Sequence, residues 1–136
     1  QAQDPLRPTV VSGGTFERGT AVTYGDRRQV YISGTASIDA EGKGMYPGDG
    51  SMQTRRMLEN ISALLKEAGA KLKDIAMAVV YLRDAADYSI VRKIVMETCP
   101  DLNAVFVLAP VCRPAWLVEM ECLALVPCKV PEFRPF

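Results

Sequence analysis

Two strand-length stretches of this 136-residue chain, Ile75 to Leu82 (IAMAVVYL) and Trp116 to Val126, are apolar at both parities. A strand with one wet face alternates apolar and polar residues, so runs of this kind predict strands covered on both sides. Ahead of them the period is helical. From Ser51 onward, Met57, Leu58, Ile61, Leu64, Leu65 and Ala68 fall on one helical face, with Arg55, Arg56, Glu59, Ser62 and Lys66 opposite. Ser51 or Asp49 can cap the start of this helix, and Gly69 is placed to end it. A second helix carries Ile90, Val91, Ile94 and Val95, with Asp87 as the expected cap and Cys99-Pro100 as the stop.

Three further strands are expected. Gly19 to Tyr24 and Gln29 to Ser37, joined through Gly25-Asp26-Arg27-Arg28, predict an antiparallel hairpin, and Ala104 to Ala109 precedes the last strand. Thr9-Val10-Val11 adds a candidate edge strand, and Asp39 to Gly50 is a Gly-rich loop. The result is an α+β fold: one mixed sheet of about six strands with two helices packed on one face. The opposite face would then expose a large apolar surface. Association is the expected remedy, which makes pockets between subunits candidate functional sites.

Composition narrows the chemistry. There is no histidine, so imidazole bases, His-metal centres and Ser-His or Cys-His nucleophilic sites are excluded. Sixteen basic residues balance sixteen acidic ones, which leaves no net field to attract nucleic acid; the doublets Arg27-Arg28 and Arg55-Arg56 read as solvated faces. Cys99, Cys112, Cys122 and Cys128 contain no C-x-x-C pair and read as reduced thiols of a cytoplasmic protein. No stretch is long and apolar enough to span a bilayer. Residues 1–15 read as an N-terminal linker or extension, 16–130 as one domain and 131–136 as a C-terminal tail. The start QAQDPLRP, without an initiator Met, predicts a fragment of a longer protein or a processed terminus.

Four segments together, in this order and spacing, resemble the YjgF/RidA superfamily, also labelled endoribonuclease L-PSP. They are VYISGTASID from Val30, Q-T-R-x-x-L-E-N-I from Gln53, VVYLRD from Val79 and LVEMECLALV from Leu117. The resemblance implies a chorismate-mutase-like (RidA-like) fold and a homotrimer with small-molecule sites in the clefts between subunits. It also implies hydrolysis of reactive enamines and imines to keto acids, with no cofactor and no metal. The family's acidic residue on the last strand matches Glu119, and its Ser-Gly matches Ser33-Gly34. The usual clamp, an Arg followed by Ser or Thr, is absent, since Leu102 and Asn103 hold those positions. The usual tyrosine near the first strand is not matched either, because Phe16-Glu17-Arg18-Gly19-Thr20 stands there. Instead C-R-P-x-x-L-V-E, Cys112 to Glu119, with F-x-R-G at Phe16 to Gly19, resembles the C-terminal half of chorismatases.

On this basis Glu119 is the candidate catalytic residue. A carboxylate between Val118 and Met120 in an apolar strand must be paired, or have a raised pKa suited to handing protons to water or substrate. Glu121 shares its parity and competes with it. Arg113 is the candidate contact for a substrate carboxylate, or else a solvated loop arginine. Cys112 is a candidate pocket liner, or a thiolate nucleophile beside the Arg. Arg18 and Phe16 offer a second carboxylate contact and an aromatic wall, or ordinary strand-end packing. Ser33, Gly34 and Thr35 offer hydroxyls and N–H groups to a ligand, or mark a bulge. Three functions stay open: a hydrolase acting on a small carboxylate-bearing enamine or imine, a non-catalytic binding or interaction module of the same fold, and a chorismatase-like C-terminal domain of a longer protein.

Overall fold

A computed structural model describes residues 17–135. The expected edge strand at Thr9 to Val11 lies outside the described residues, as does Phe16. Among the described residues the sheet has five strands, one fewer than the sequence suggests: β1 (Gly19–Thr23), β2 (Arg27–Ala36), β3 (Ile75–Leu82), β4 (Ala104–Leu108) and β5 (Val118–Pro127). Their order is β1-β2-β5-β3-β4, antiparallel throughout except for the parallel β3/β4 pair. The helices α1 (Gly50–Glu67) and α2 (Tyr88–Thr98) pack on one face of this mixed sheet.

Each helix ends where local chemistry dictates. Asp49 caps α1 by accepting the Met52 N–H at 2.9 Å, and Gly69 follows the helix at φ +78°, a conformation that disfavours a Cβ. Arg28 donates to the Ala68 carbonyl at 3.1 Å, placing its charge at the negative end of the α1 dipole. Half of one basic doublet is therefore a helix-end ligand. Asp87 makes no capping bond to α2; a single 3-10 turn, Ala85–Asp87, precedes the helix, and Asp84 caps that turn by accepting from Ala86 N–H. Asp87 is already in a helical conformation, which turns its carboxylate away from the capping position.

The helix-packed face is a continuous apolar core that includes Met57, Ile61 and Leu65 of α1, Val91, Ile94 and Val95 of α2, Val80 of β3 and Val118, Met120 and Ala124 of β5. The other face is open. Met77 (52% exposed), Val105 (61%), Tyr31 and Leu125 stand out from it, together with Glu121. The strands apolar at both parities are thus covered on one side by this chain alone.

One irregularity matters for the site. Ile32 pairs with Cys122 but Thr35 pairs with Met120, so Ser33 and Gly34 together oppose Glu121. This β-bulge inserts one residue and reverses the facing of every position after it. Thr35 is turned into the helix-packed face beside Met120, and Ala36 comes to pair with Glu119.

Candidate functional site

The bulge creates the seat for Glu119. A Cβ built on Gly34 would overlap the Glu119 carboxylate, so only glycine leaves room for the carboxylate to lie against the β2 backbone. Burial pushes the Glu119 carboxyl above the ordinary carboxylate range; the Cys112 N–H opposes the shift, and the nearby Glu121 adds to it. Across the sheet Tyr81 pairs with Glu119 in the ladder, and its hydroxyl donates to Glu121 Oε1 at 2.9 Å. That bond holds the Tyr81 phenol above its usual pKa. The two carboxylates of β5 therefore differ: Glu119 is half-buried on a glycine seat, and Glu121 is exposed and paired with a phenol. Beside Glu121, Tyr31, Ser33, Met77, Val79 and Leu123 border a shallow depression of about 360 Å³.

Between β4 and β5 the chain runs through a loop that the rest of the molecule grips tightly. Arg83 donates from Nε to Trp116 O (2.9 Å) and from Nη2 to Val111 O and Arg113 O (both 2.8 Å). Gln53, buried in α1, donates to Tyr46 O and Ala115 O (both 3.1 Å) and accepts the Leu117 N–H at 2.9 Å. These bonds delay the start of β5 to Val118, two residues later than the apolar run suggests, because Trp116 and Leu117 are committed to the loop. Arg113 donates from Nη1 to Gly42 O at 3.0 Å and stacks 5.1 Å over the Trp116 ring. The bond to Gly42 uses one of the five guanidinium N–H groups.

The remaining candidates divide. Ser33 lies at the bulge, but its hydroxyl donates to Glu17 O at 2.6 Å and its N–H to Arg18 O at 3.0 Å. Arg18 is thereby held beside the bulge, and partial burial lowers its guanidinium pKa. Thr35 is 3% exposed and its hydroxyl donates to Ser33 O at 2.8 Å, so it stabilises the bulge from inside rather than facing a ligand. The Cys112 thiol is exposed, and the contribution made to Glu119 is from its backbone. Leu102 is buried in the core and Asn103 donates to Ala76 O at 3.3 Å. Burial raises the Cys99 thiol and pushes Cys122 up to about 12, so both are protonated packing groups. Among the described residues no group of three or more Cys, Asp or Glu side chains could hold a metal ion, and no helix is long and apolar enough to cross a membrane.

Sequence reasoning missed Arg83 and Gln53. Gln53 carried a signal: it lies one turn before Met57 on the apolar face, where a buried amide must find partners. Asn60, on the same face, donates to the Ala36 and Ile38 carbonyls just beyond the bulge, both at 3.0 Å. The Q-T-R-x-x-L-E-N-I segment is thus a set of backbone ligands that fix the strand and loop around Glu119. Arg83 gave less to read, as one charged residue following an apolar strand.

With this geometry in view, the comparisons with known proteins agree on one lineage. A RutC family protein from Pyrococcus abyssi is 35% identical over 97 residues, spanning 70% of this chain and 76% of the relative. The 3-aminoacrylate deaminase RutC of Acinetobacter baylyi is 33% identical over 99 residues, 71% of this chain and 79% of the relative. Among solved structures, RidA from the Antarctic bacterium Psychrobacter superposes with a TM-score of 0.75 at 25% identity, covering 91% of this chain and 96% of that one. A chorismatase shares the fold at TM-score 0.72 and 23% identity, over 80% of this chain but 36% of its own. The Endoribonuclease L-PSP family profile matches residues 16–126, and the chain that seats Glu119 on Gly34 belongs to that family, the YjgF/RidA superfamily.

Proposed function

We propose that this protein is a RidA-type hydrolase that converts a small carboxylate-bearing enamine or imine to the keto acid and ammonia. The observation that carries the reading is the Glu119 carboxylate, half-buried against Gly34 with its pKa raised by burial. For the imine, water adds to the C=N carbon while the Glu119 carboxylate takes one of its protons. That proton is handed to the nitrogen to give the carbinolamine; the carboxylate then relays the hydroxyl proton to the same nitrogen, the C–N bond breaks, and ammonia leaves as the carbonyl forms. A carboxylate held above its usual pKa is a stronger base and a proton donor closer to neutral pH. Arg113, next in the chain to Cys112, holds the substrate carboxylate with the N–H groups not bonded to Gly42, and Arg18 assists from beside the bulge. The open apolar face supports association, with the sites completed in the clefts of a homotrimer in the cytoplasm.

Ammonia release or keto-acid formation from a freshly generated aminoacrylate tests this directly. Wild type should exceed the buffer rate, Glu119→Gln should fall to it, and Arg113→Ala should lose affinity for the substrate first. Equal rates for wild type and both variants across several substrates would refute the reading. A monomeric solution mass would remove the inter-subunit cleft. A second reading, a non-catalytic binding module, draws on Leu102 and Asn103, which fill the clamp positions and are committed to packing and to Ala76. Saturable binding of a small carboxylate without turnover would favour it.

A further inference from the structure

Trp116 is the only tryptophan of the chain, and it falls at an unspecified position of the C-R-P-x-x-L-V-E segment. Its backbone is fixed at both ends. The carbonyl accepts from Arg83 Nε at 2.9 Å, and the N–H donates to Arg113 O at 3.0 Å, an oxygen that Arg83 Nη2 also holds at 2.8 Å. This four-residue turn closes the loop on itself and brings the Arg113 and Trp116 side chains together. The indole is partly buried, packs against the apolar core, and has its Nε1 edge beside Gly44, where a Cβ would stand 3.4 Å away. The guanidinium carbon of Arg113 lies over this ring, 5.1 Å from its centre.

The second hold on Arg113 comes from another loop. Its Nη1 donates to Gly42 O at 3.0 Å, and Gly42 sits in a closed turn. The Gly42 N–H donates to Asp39 O at 3.1 Å, while the Asp39 carboxylate accepts the Glu41 and Lys43 N–H groups at 3.0 and 2.8 Å. An arginine side chain at a surface ordinarily samples many rotamers, and a ligand that fixes one of them loses affinity to that ordering. A guanidinium already held by a ring and a carbonyl has less freedom to lose, and the N–H groups outside the Gly42 bond remain for a carboxylate.

We propose that Trp116 is the positioning residue for Arg113: its ring, together with the Gly42 carbonyl, holds the guanidinium in the orientation that receives a substrate carboxylate. Trp116 acts through Arg113 and not on the reacting atoms. The inference rests on the reading of Arg113 as the carboxylate contact, but the hold of the ring on the guanidinium can be measured without substrate.

The test is a double-mutant cycle on Trp116→Leu and Arg113→Ala. It is read by the Kd of pyruvate, a small keto acid, in ligand-observed NMR, and by KM and kcat in the ammonia-release assay. A cation–π contact to an exposed arginine corresponds to about two- to fivefold in affinity. Trp116→Leu should raise Kd and KM by that factor, with kcat changed by less than about twofold. Trp116→Tyr, which keeps an aromatic face, should recover part of the loss. In the Arg113→Ala background Trp116→Leu should change neither constant further. A merely structural role would lower kcat, or act equally in both backgrounds; either result overturns the proposal, as do an unchanged Kd and KM in folded Trp116→Leu. The contact itself is read from the Arg113 side-chain proton resonances, identified by their loss in Arg113→Ala. The indole ring current should displace them from ordinary arginine values in the wild type and not in Trp116→Leu. Should Trp116→Leu fail to fold, the wild type decides, since ordinary Arg113 resonances overturn the proposal. Displaced resonances in a protein that binds pyruvate equally well with and without Arg113 would reject Arg113 as the carboxylate contact and leave the ring's hold on it in place. The expected cycle in Kd from a protein that releases no ammonia would keep Trp116 in its role and reject the enzymatic reading instead.

Discussion

The two faces of the sheet are made from neighbouring residues of the same strands, yet they are governed by different rules. On the helix-packed face Val80, Val118, Met120 and Ala124 are fully buried, and the polar groups there (Thr35, Gln53, Asn60) bond backbone carbonyls of the bulge and loops. On the open face Met77 and Val105 are more than half exposed, and the same strands present Glu119, Glu121 and Tyr81. One face is closed by this chain's own helices and the other is left open. The bulge at Ser33-Gly34 connects them, because it turns Thr35 inward and leaves the space in which Glu119 lies. A carboxylate on an apolar strand is costly to seat. The helix-packed face stabilises the fold strongly enough to carry that cost.

The comparison breaks most visibly in the core. Ile61→Ala should destabilise the fold by about 2–5 kcal/mol in chemical denaturation, through lost burial and a cavity between α1 and the sheet. Gly34→Ala tests the connection between the faces: its Cβ displaces the Glu119 carboxylate, and turnover should fall on the order of 10²-fold, more than any loss in thermal stability would explain. Gln53→Ala leaves the Leu117 N–H and the Ala115 and Tyr46 carbonyls without their partner, at about 1–3 kcal/mol. Met77→Lys on the open face should change the stability of a single subunit by less than about 0.5 kcal/mol. If that face is an interface, the same substitution lowers the mass seen by light scattering to that of one chain.

The smallest effect is in the pH dependence. The Glu119 carboxyl is raised in the folded state, so the folded protein binds the proton more tightly than the unfolded chain. Its contribution to stability is fully present below the unfolded carboxylate value and is lost as pH rises from there through the raised folded value. Subtracting the pH profile of Glu119→Gln from that of the wild type should isolate a difference that declines with pH across this window. A difference that rises instead would mean the carboxylate is stabilised, not desolvated, in its seat.

Much of this architecture was legible in the sequence because burial imposes a period. The α1 stripe from Met57 to Leu65, the stop at Cys99-Pro100 and the placement of both helices on one face follow from it. Glu119 was legible as a charge in an apolar strand, and Gly34 as a glycine in one. The bulge was legible as one of two readings of Ser33-Gly34, and the structure shows it; its effect on the facing of Thr35 was not, since that depends on the pairing of the two strands. Thr35, offered as a ligand contact, is turned inward for that reason and bonds Ser33 O instead. The reach of Arg83 over 28 to 33 residues to three carbonyls was equally hidden, because long-range ligands to backbone leave no local pattern. Arg113 was read as a contact for a substrate carboxylate or else a solvated loop arginine; its bond to Gly42 and its stacking on Trp116 were not legible, because they depend on where two loops meet.

The central claim is that one of two neighbouring carboxylates on the open face is set apart by its seat. The most direct measurement is the rate of ammonia release from an aminoacrylate by Glu119→Gln and Glu121→Gln side by side, each checked for an unchanged fold. Glu119→Gln should lose the enzymatic rate, on the order of 10²-fold or more, while Glu121→Gln should stay within about tenfold of wild type. Equal losses in the two variants, or a greater loss at Glu121, would contradict the account.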